Sequence, residues 1–317
     1  MFKVLIIGCG NIGALYDLKN KNILTHAKAF SKIQEFSLYF FDINFNLAKR
    51  VAKKYNGNYL EKINEKDFKN FNCICISTPT STHFKFLKYA FNSNIPFVIC
   101  EKPISNNEKD LRQLLKLYKK NDTKVLVNYI RRFQVSYIRL RKYIINQLKK
   151  DDIKKIVIKY QRGFLNNCSH SLDLIQFLTD SDIVLKKNMI LSRNNKFSHK
   201  DPTISFFGKW NNTEIFILGF EDTSFKIFEI DIFFNNTKIE IKESGNVIDI
   251  FTIKSSSKFK TNNLVKDVNK SVNGCMKNYM TSIAEIVKSD LQKNNFNDNF
   301  VESLNLNLKM LKIIKKC

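Results

Sequence analysis

At 317 residues the chain is too long for one small core and long enough for two domains of ordinary size, and 44% hydrophobic and 13% aromatic residues can fill both. No apolar run approaches the roughly 20 residues that a membrane-spanning helix needs, so a membrane protein is not expected. The formal charge of +24 invites a nucleic-acid reading, but the lysines are scattered among asparagines along the whole chain. A nucleic-acid site gathers charge on one face or helix, so no such partner is expected, and the charge is left to steer anionic ligands.

The chain opens with an apolar strand, 3–7, that runs straight into Gly8-Cys9-Gly10-Asn11-Ile12-Gly13. In that pattern Gly8 allows a tight turn, Gly10 clears the backbone for a pyrophosphate, and Gly13 lets the next helix lie close to the strand. The helix then offers unpaired amides to phosphate. Further strands are expected at 37–41, 72–77, 97–100 and 124–127, with helices at 45–55, 82–92 and 108–121 between them. This alternation predicts a parallel, doubly wound sheet occupying residues 1–127.

The pattern changes in 128–317, read as an α+β domain with an open, mostly antiparallel sheet. A helix (133–148), a strand (153–160) and a second helix (169–178) precede strands at 203–210, 214–220, 226–234, 238–242 and 247–254, joined by turns such as Asn211-Asn212 and Asn235-Asn236. The polar stretch 255–273 is expected to be a loop, and helices are expected near 272–292 and 299–315. The strand Ile227-Phe228-Glu229-Ile230-Asp231-Ile232-Phe233-Phe234 carries apolar residues on both faces, which predicts a second subunit as cover, in a homodimer or homotetramer. Seven cysteines, an odd number, sit mostly in apolar segments such as Asn72-Cys73-Ile74-Cys75-Ile76, without zinc spacing. They read as reduced core residues, and no metal site is expected. Because a core strand occupies the N-terminus where a removable signal would lie, the expected compartment is the cytoplasm.

Several motifs fall at the carboxyl ends of the parallel strands, where such a sheet binds its ligand. Asp42 ends the second strand; it can accept hydrogen bonds from an adenosine ribose and repel a 2′-phosphate, or it can cap the helix beginning at Phe45. The ribose role favours NAD, with NADP as the second choice. Its distance from Gly13 is longer than usual, which the polar insert 16–24 explains. Ser77-Thr78-Pro79-Thr80-Ser81-Thr82-His83 follows a third strand and Glu101-Lys102-Pro103 a fourth.

These motifs, with Asn128-Tyr129-Ile130-Arg131-Arg132-Phe133 at the domain junction and Cys168-Ser169-His170-Ser171-Leu172-Asp173-Leu174 opening a helix, resemble one family in order and spacing across nearly the whole chain. It is the glucose–fructose oxidoreductase, inositol dehydrogenase and rhizopine-catabolism group of NAD(P)-dependent dehydrogenases, Gfo/Idh/MocA. The resemblance implies a Rossmann domain followed by an α/β domain whose open sheet commonly forms a subunit interface. It implies a sugar, inositol or nucleotide-sugar substrate, and a cofactor site of Gly8, Gly10, Asn11, Ile12, Gly13, Asp42, Ser77, Thr78, Pro79, His83, Glu101 and Lys102. It also implies that Lys102 lies beside the nicotinamide and that His170 is the acid/base. An imidazole near neutral pKa suits removal of a hydroxyl proton, and an ammonium favours a developing alkoxide. Arg131, Asn166, His170 and Asp173, with Lys102, are the candidate substrate contacts. One departure matters: the family often places Asp four residues before the histidine, where this chain has Asn166, and Cys168 stands for a glycine. That departure keeps a second class in view, a non-catalytic protein that senses NAD or a sugar and regulates a partner.

Overall fold

The computed structural model describes residues 1–184, 190–210, 213–255 and 262–315. They form two compact units, Met1–Ile130 with Asn278–Leu308, and Arg131–Lys277 with Lys309–Cys317.

Among the described residues the first unit holds six parallel strands: β1 (Phe2–Ile7), β2 (Phe36–Phe41), β3 (Asn58–Tyr59), β4 (Cys73–Ile76), β5 (Phe97–Cys100) and β6 (Lys124–Val127). Their order is β3-β2-β1-β4-β5-β6, so the chain reverses direction of growth beside β1 and leaves a crevice at the carboxyl ends of β1 and β4. β1, β4 and β5 are near-continuous apolar runs, buried on both faces, as a parallel sheet covered by helices requires. The helices α1 (His26–Phe30), α2 (Phe45–Lys54), α3 (His83–Asn92) and α4 (Glu108–Tyr118) lie in this unit. Two later helices, Met280–Lys293 and the greater part of Phe300–Lys315, complete it.

The helix expected after Gly13 is a single π-helical turn, Asn11–Leu15. The insert then loops out and is pinned by Asp17, whose fully buried carboxylate accepts from the amides of Leu24 at 2.6 Å and Thr25 at 2.9 Å and from the Thr25 hydroxyl at 2.8 Å. Thr25 in turn caps α1.

The second unit places α5 (Val135–Leu148) and α6 (Ser169–Thr179) with a sheet that, among the described residues, has ten strands: β7 (Lys155–Gln161), β8 (Ile183–Val184), β9 (Ile190–Asn194), β10 (Thr203–Trp210), β11 (Thr213–Phe220), β12 (Phe228–Phe233), β13 (Thr237–Lys242), β14 (Val247–Ser255), β15 (Asn262–Lys266) and β16 (Val272–Asn273). All pairings are antiparallel except β11 with β7. The expected turn at Asn211-Asn212 lies outside the described residues. Where a loop was expected over 255–273, β15 and β16 both pair with β14, and the helix expected from 272 begins at Met280.

The expectation of apolar residues on both faces of β12 is met unevenly: Phe233 shares the face of Glu229 and Asp231, opposite Phe228, Ile230 and Ile232. Phe228, Ile230 and Ile232 are buried, with Tyr160, Ile239, Ile241, Ile248 and Ile250 also inside, whereas Glu229 and Asp231 point to the other face. That outer face carries Lys155 paired with Glu214, Lys159 with Glu229 at 3.0 Å, and Lys238 with Asp231 at 3.5 Å and Glu240 at 2.5 Å. Lys242 bridges Glu240 at 3.0 Å and Asp249 at 2.9 Å, and Lys266 reaches Asp249 at 2.6 Å. Glu240 stands directly across from Asp231 and Asp249, a repulsive arrangement that the intervening lysines offset. Hydrogen bonds to Asp249 and Glu240 accordingly raise the Lys242 ammonium above its ordinary pKa. The face is charge-balanced within a chain of +24.

The glycine turn joins these constraints to function. A Cβ on Gly13 would lie 2.0 Å from the Gly8 carbonyl oxygen, whereas a Cβ on Gly10 would meet no atom within 4 Å. Gly13→Ala is therefore expected to lose at least about 1–3 kcal/mol of stability, the cost of a group with no room. Gly10→Ala, at φ −71°, should change stability by less than about 0.5 kcal/mol. Denaturant unfolding of both variants measures the contrast.

Candidate functional site

In the first unit, four of the expected motifs stand at the ends of neighbouring strands β2, β1, β4 and β5, and hydrogen bonds tie them together. Gly8 takes φ +92°, and a Cβ there would also meet the Ser77 carbonyl oxygen at 2.7 Å. The Ser77 hydroxyl lies 2.8 Å from the Gly8 carbonyl oxygen and 3.1 Å from that of Ile7, fixing the end of β4 to the turn. The first bonds of the π-helical turn come from Ala14, Leu15 and Tyr16, so the amides of Gly10, Asn11, Ile12 and Gly13 head it, the arrangement that receives phosphate. With open space over Gly10, this turn fits a dinucleotide pyrophosphate.

Asp42 is not the helix cap. Asn44 fills that place, its side chain accepting from the Leu47 amide at 3.1 Å. The Asp42 carboxylate instead bridges inward and forward, accepting from the Cys9 amide at 2.7 Å and from the Asn44 amide at 2.8 Å. It is thereby latched to the glycine turn at the end of β2, with lone pairs remaining on both oxygens.

Thr78 and Pro79 lead into a short 3₁₀ turn whose Thr82 hydroxyl reaches the Pro79 carbonyl at 2.8 Å. His83 is buried between two turns: Nε2 lies 2.8 Å from the Thr78 carbonyl oxygen and Nδ1 3.0 Å from that of Pro103. Burial pushes its imidazole below the ordinary pKa, against those two contacts. His83 thus holds the turn after β4 against the turn after β5, where the Lys102–Pro103 peptide is cis.

Glu101 ends β5. Its Oε1 accepts from His26 Nε2 at 3.0 Å and Asn128 Nδ2 at 2.7 Å. Burial raises the carboxyl pKa, but the hydrogen bonds from His26 and Asn128 and the nearby Lys102 charge outweigh it and leave it below its ordinary value. The next residue is Lys102. Thiol chemistry is not available nearby: burial first, then the charge of Asp42, pushes the Cys9 thiol up to about 12, and burial lifts Cys75 and Cys100 well above the usual range.

In the second unit, His170 occupies the first turn of α6, half-buried, directly after the π-helical turn Phe164–Cys168. Asn166 lies in that turn. Its amide, with that of Leu165, donates to the Asp201 carboxylate at 2.9 and 2.7 Å. Gly163, at φ +90°, makes room for this cap, since a Cβ there would meet Asp201 Oδ2 at 2.3 Å. The candidate substrate contacts Arg131 and Asp173 are built into the same unit. Asp173 takes a two-point ion pair from Arg132, Nε to Oδ2 at 3.0 Å and an Nη to Oδ1 at 2.8 Å, with both side chains buried. The Arg131 guanidinium lies 3.7 Å over the Phe228 ring and donates to the Ser244 carbonyl at 2.6 Å.

Sequence reasoning missed His26 and Asp201. The available signals were weak: His26 follows a capping Thr25, and Asp201 precedes Pro202 at the entrance to a strand.

Comparison with known proteins agrees with this geometry. A family model described as an oxidoreductase family with an NAD-binding Rossmann fold, GFO_IDH_MocA, matches residues 2–129. No curated protein matches the sequence. Among solved structures, the dehydrogenase MviM from Clostridium difficile is 17% identical with a TM-score of 0.72, covering 100% of this chain and 99% of its own. UDP-N-acetylglucosamine 3-dehydrogenase GnnA from Acidithiobacillus ferrooxidans is 14% identical, TM-score 0.73, covering 99% and 96%. A super-repressor mutant of Gal80p from Saccharomyces cerevisiae is 12% identical, TM-score 0.72, covering 99% and 95%. At these identities the likeness is one of fold. Residues 2–129 thus match the NAD-binding Rossmann fold of the Gfo/Idh/MocA oxidoreductase family, and over its whole length the chain shares the fold of the structures above.

Proposed function

We propose that this protein is an NAD-dependent oxidoreductase that moves a hydride between the cofactor and a secondary alcohol or ketone of a sugar, inositol or nucleotide-linked sugar. The observation that carries the proposal is the bare Gly10 backbone at the head of a helical turn, flanked by the latched Asp42 and by Glu101. The substrate class rests on the resemblance and is consistent with the printed identity of the GnnA structure.

A bound nicotinamide supplies the carbon that takes or returns the hydride. In alcohol oxidation the hydroxyl proton must also leave, and His170 is the base that accepts it. The Lys102 ammonium stabilises the oxygen as negative charge develops there. Asn166 orients the imidazole or a substrate hydroxyl, but it cannot balance an imidazolium by charge. Arg131 and Asp173 are proposed substrate contacts, held in place by Phe228 and Ser244 for the first and by Arg132 for the second. The compartment we assign is the cytoplasm, which keeps thiols reduced; Cys9, Cys73, Cys75, Cys100, Cys168 and Cys275 are free and buried. No helix among the described residues is long and apolar enough to cross a membrane.

The second reading is a sensor that binds NAD or a sugar without turnover. It is favoured by the lost family carboxylate at Asn166 and by a repressor with the same fold. Turnover separates the two. In the enzyme, His170→Ala lowers the rate of NAD reduction by on the order of 10²–10⁴-fold with little change in NAD affinity. In the sensor, no sugar, inositol or nucleotide-sugar reduces bound NAD, and the substitution alters ligand affinity alone.

Asp42 sets cofactor choice. Calorimetric titration is expected to show NAD binding more tightly than NADP, and Asp42→Ala to narrow the difference, since the carboxylate repels a 2′-phosphate. Equal affinities in the unaltered protein would remove Asp42 from the ribose site.

The proposed partner is a second copy of the chain, packed on the outer sheet face. Two chains of +24 repel over most of their surface, whereas the face bearing Lys159, Asp231, Lys242 and Asp249 is charge-balanced. Light scattering at micromolar concentration is expected to give a dimer or tetramer mass, and the pair Lys159→Glu with Lys242→Glu to shift it toward the monomer.

A further inference from the structure

We infer that His26 is a positioning residue of the cofactor site: with Asn128 it clamps one oxygen of the Glu101 carboxylate so that the other faces the ligand as a fixed acceptor. The inference rests on the dinucleotide reading proposed above and adds to it a residue that does not itself touch the cofactor.

The geometry is asymmetric. His26 Nε2 at 3.0 Å and Asn128 Nδ2 at 2.7 Å both bind Oε1, and among the described residues no hydrogen bond reaches Oε2. The Glu101 side chain keeps about 15% exposure, whereas the His26 side chain has none. His26 Nδ1 and Asn128 Oδ1 are buried without hydrogen-bond partners. The imidazole therefore fits as its Nε2–H tautomer, because a proton on Nδ1 would be a buried donor with no acceptor. Neither clamp has a second strong acceptor elsewhere; Asn128 has only a 3.7 Å contact to the Met280 sulfur besides. Both buried polar groups are thus committed to one carboxylate oxygen, which is more than closing a core requires.

The chemistry that an open, buried carboxylate oxygen at the end of β5 takes is a neutral hydroxyl donor. In a dinucleotide whose pyrophosphate lies on Gly10, the hydroxyls that can reach the β5 side belong to the ribose of the nicotinamide half. Without the clamp the carboxylate can rotate or draw in water, and that hydroxyl loses a fixed partner.

The test is calorimetric titration of the whole protein with NAD and separately with ADP, which lacks the nicotinamide ribose, alongside thermal unfolding without ligand. His26→Phe removes the donor, and His26→Gln replaces it with an amide. His26→Phe is expected to weaken NAD roughly tenfold or more while leaving ADP within threefold, and His26→Gln to stay within threefold for both. Unchanged NAD affinity in His26→Phe, or equal losses for NAD and ADP, overturns the inference. If His26→Phe does not fold, Asn128→Ala decides by the same criterion. If the unaltered protein binds neither NAD nor ADP, the dinucleotide reading fails first and takes this inference with it, an outcome distinct from failure of the clamp alone.

Discussion

The structure of the first unit depends on one close approach, the backbone of Gly13 against the carbonyl of Gly8. Only a residue without a side chain can stand there, because a Cβ would overlap the oxygen at 2.0 Å. That approach sets where the helical turn begins, and two side chains hold it from either side. Ser77 from β4 bonds the Gly8 carbonyl, and Asp42 from β2 receives the Cys9 amide. Three strand ends are thereby fixed around a backbone segment whose middle glycine is uncovered. The uncovered position is the functional one, and the covered ones exist to hold it still.

Carboxylates do much of this holding in a chain rich in cations. Asp17 pins the insert, Asp42 latches the glycine turn, Glu101 joins α1 to the ends of β5 and β6, Asp173 anchors Arg132, and Asp201 caps the turn before His170. Each accepts from backbone amides or from buried donors, which makes the local geometry specific. In a chain of 29 acidic against 53 basic residues, Asp17 and Asp173 are buried, and Asp42, Glu101 and Asp201 half-buried. The remaining acids on the outer sheet face alternate with lysines, so the cationic excess lies elsewhere on the molecule.

Much of the fold was legible because its signals are local. β1, β2, β4, β5 and β6 are short apolar runs with turn residues at their ends, and the helices between them carry one apolar face, so both their existence and their parallel order follow from pattern. The glycine turn was legible because steric demand leaves few residue choices. What was not legible depends on partners distant in sequence. β3 has two residues and exists only by pairing with β2. β15 is exposed along its length, with only Leu264 and Val265 apolar, and is a strand only because it borders β14. The return of Asn278–Leu308 to the first unit has no local mark; it is fixed by contacts such as the Ile23 amide on Asn278 Oδ1 at 2.8 Å. In the site, His26 binds a residue 75 positions away and Asp201 amides 35 and 36 positions away, so neither could be weighed from its neighbours in the chain.

The measurement that bears most directly on the account is a crystal structure of the protein with NAD bound. The account predicts the pyrophosphate against the amides from Gly10 to Gly13, the adenosine ribose on Asp42, and the ribose of the nicotinamide half within hydrogen-bond distance of Glu101 Oε2. A dinucleotide bound elsewhere, or a pyrophosphate that leaves Gly10 uncovered, would contradict it.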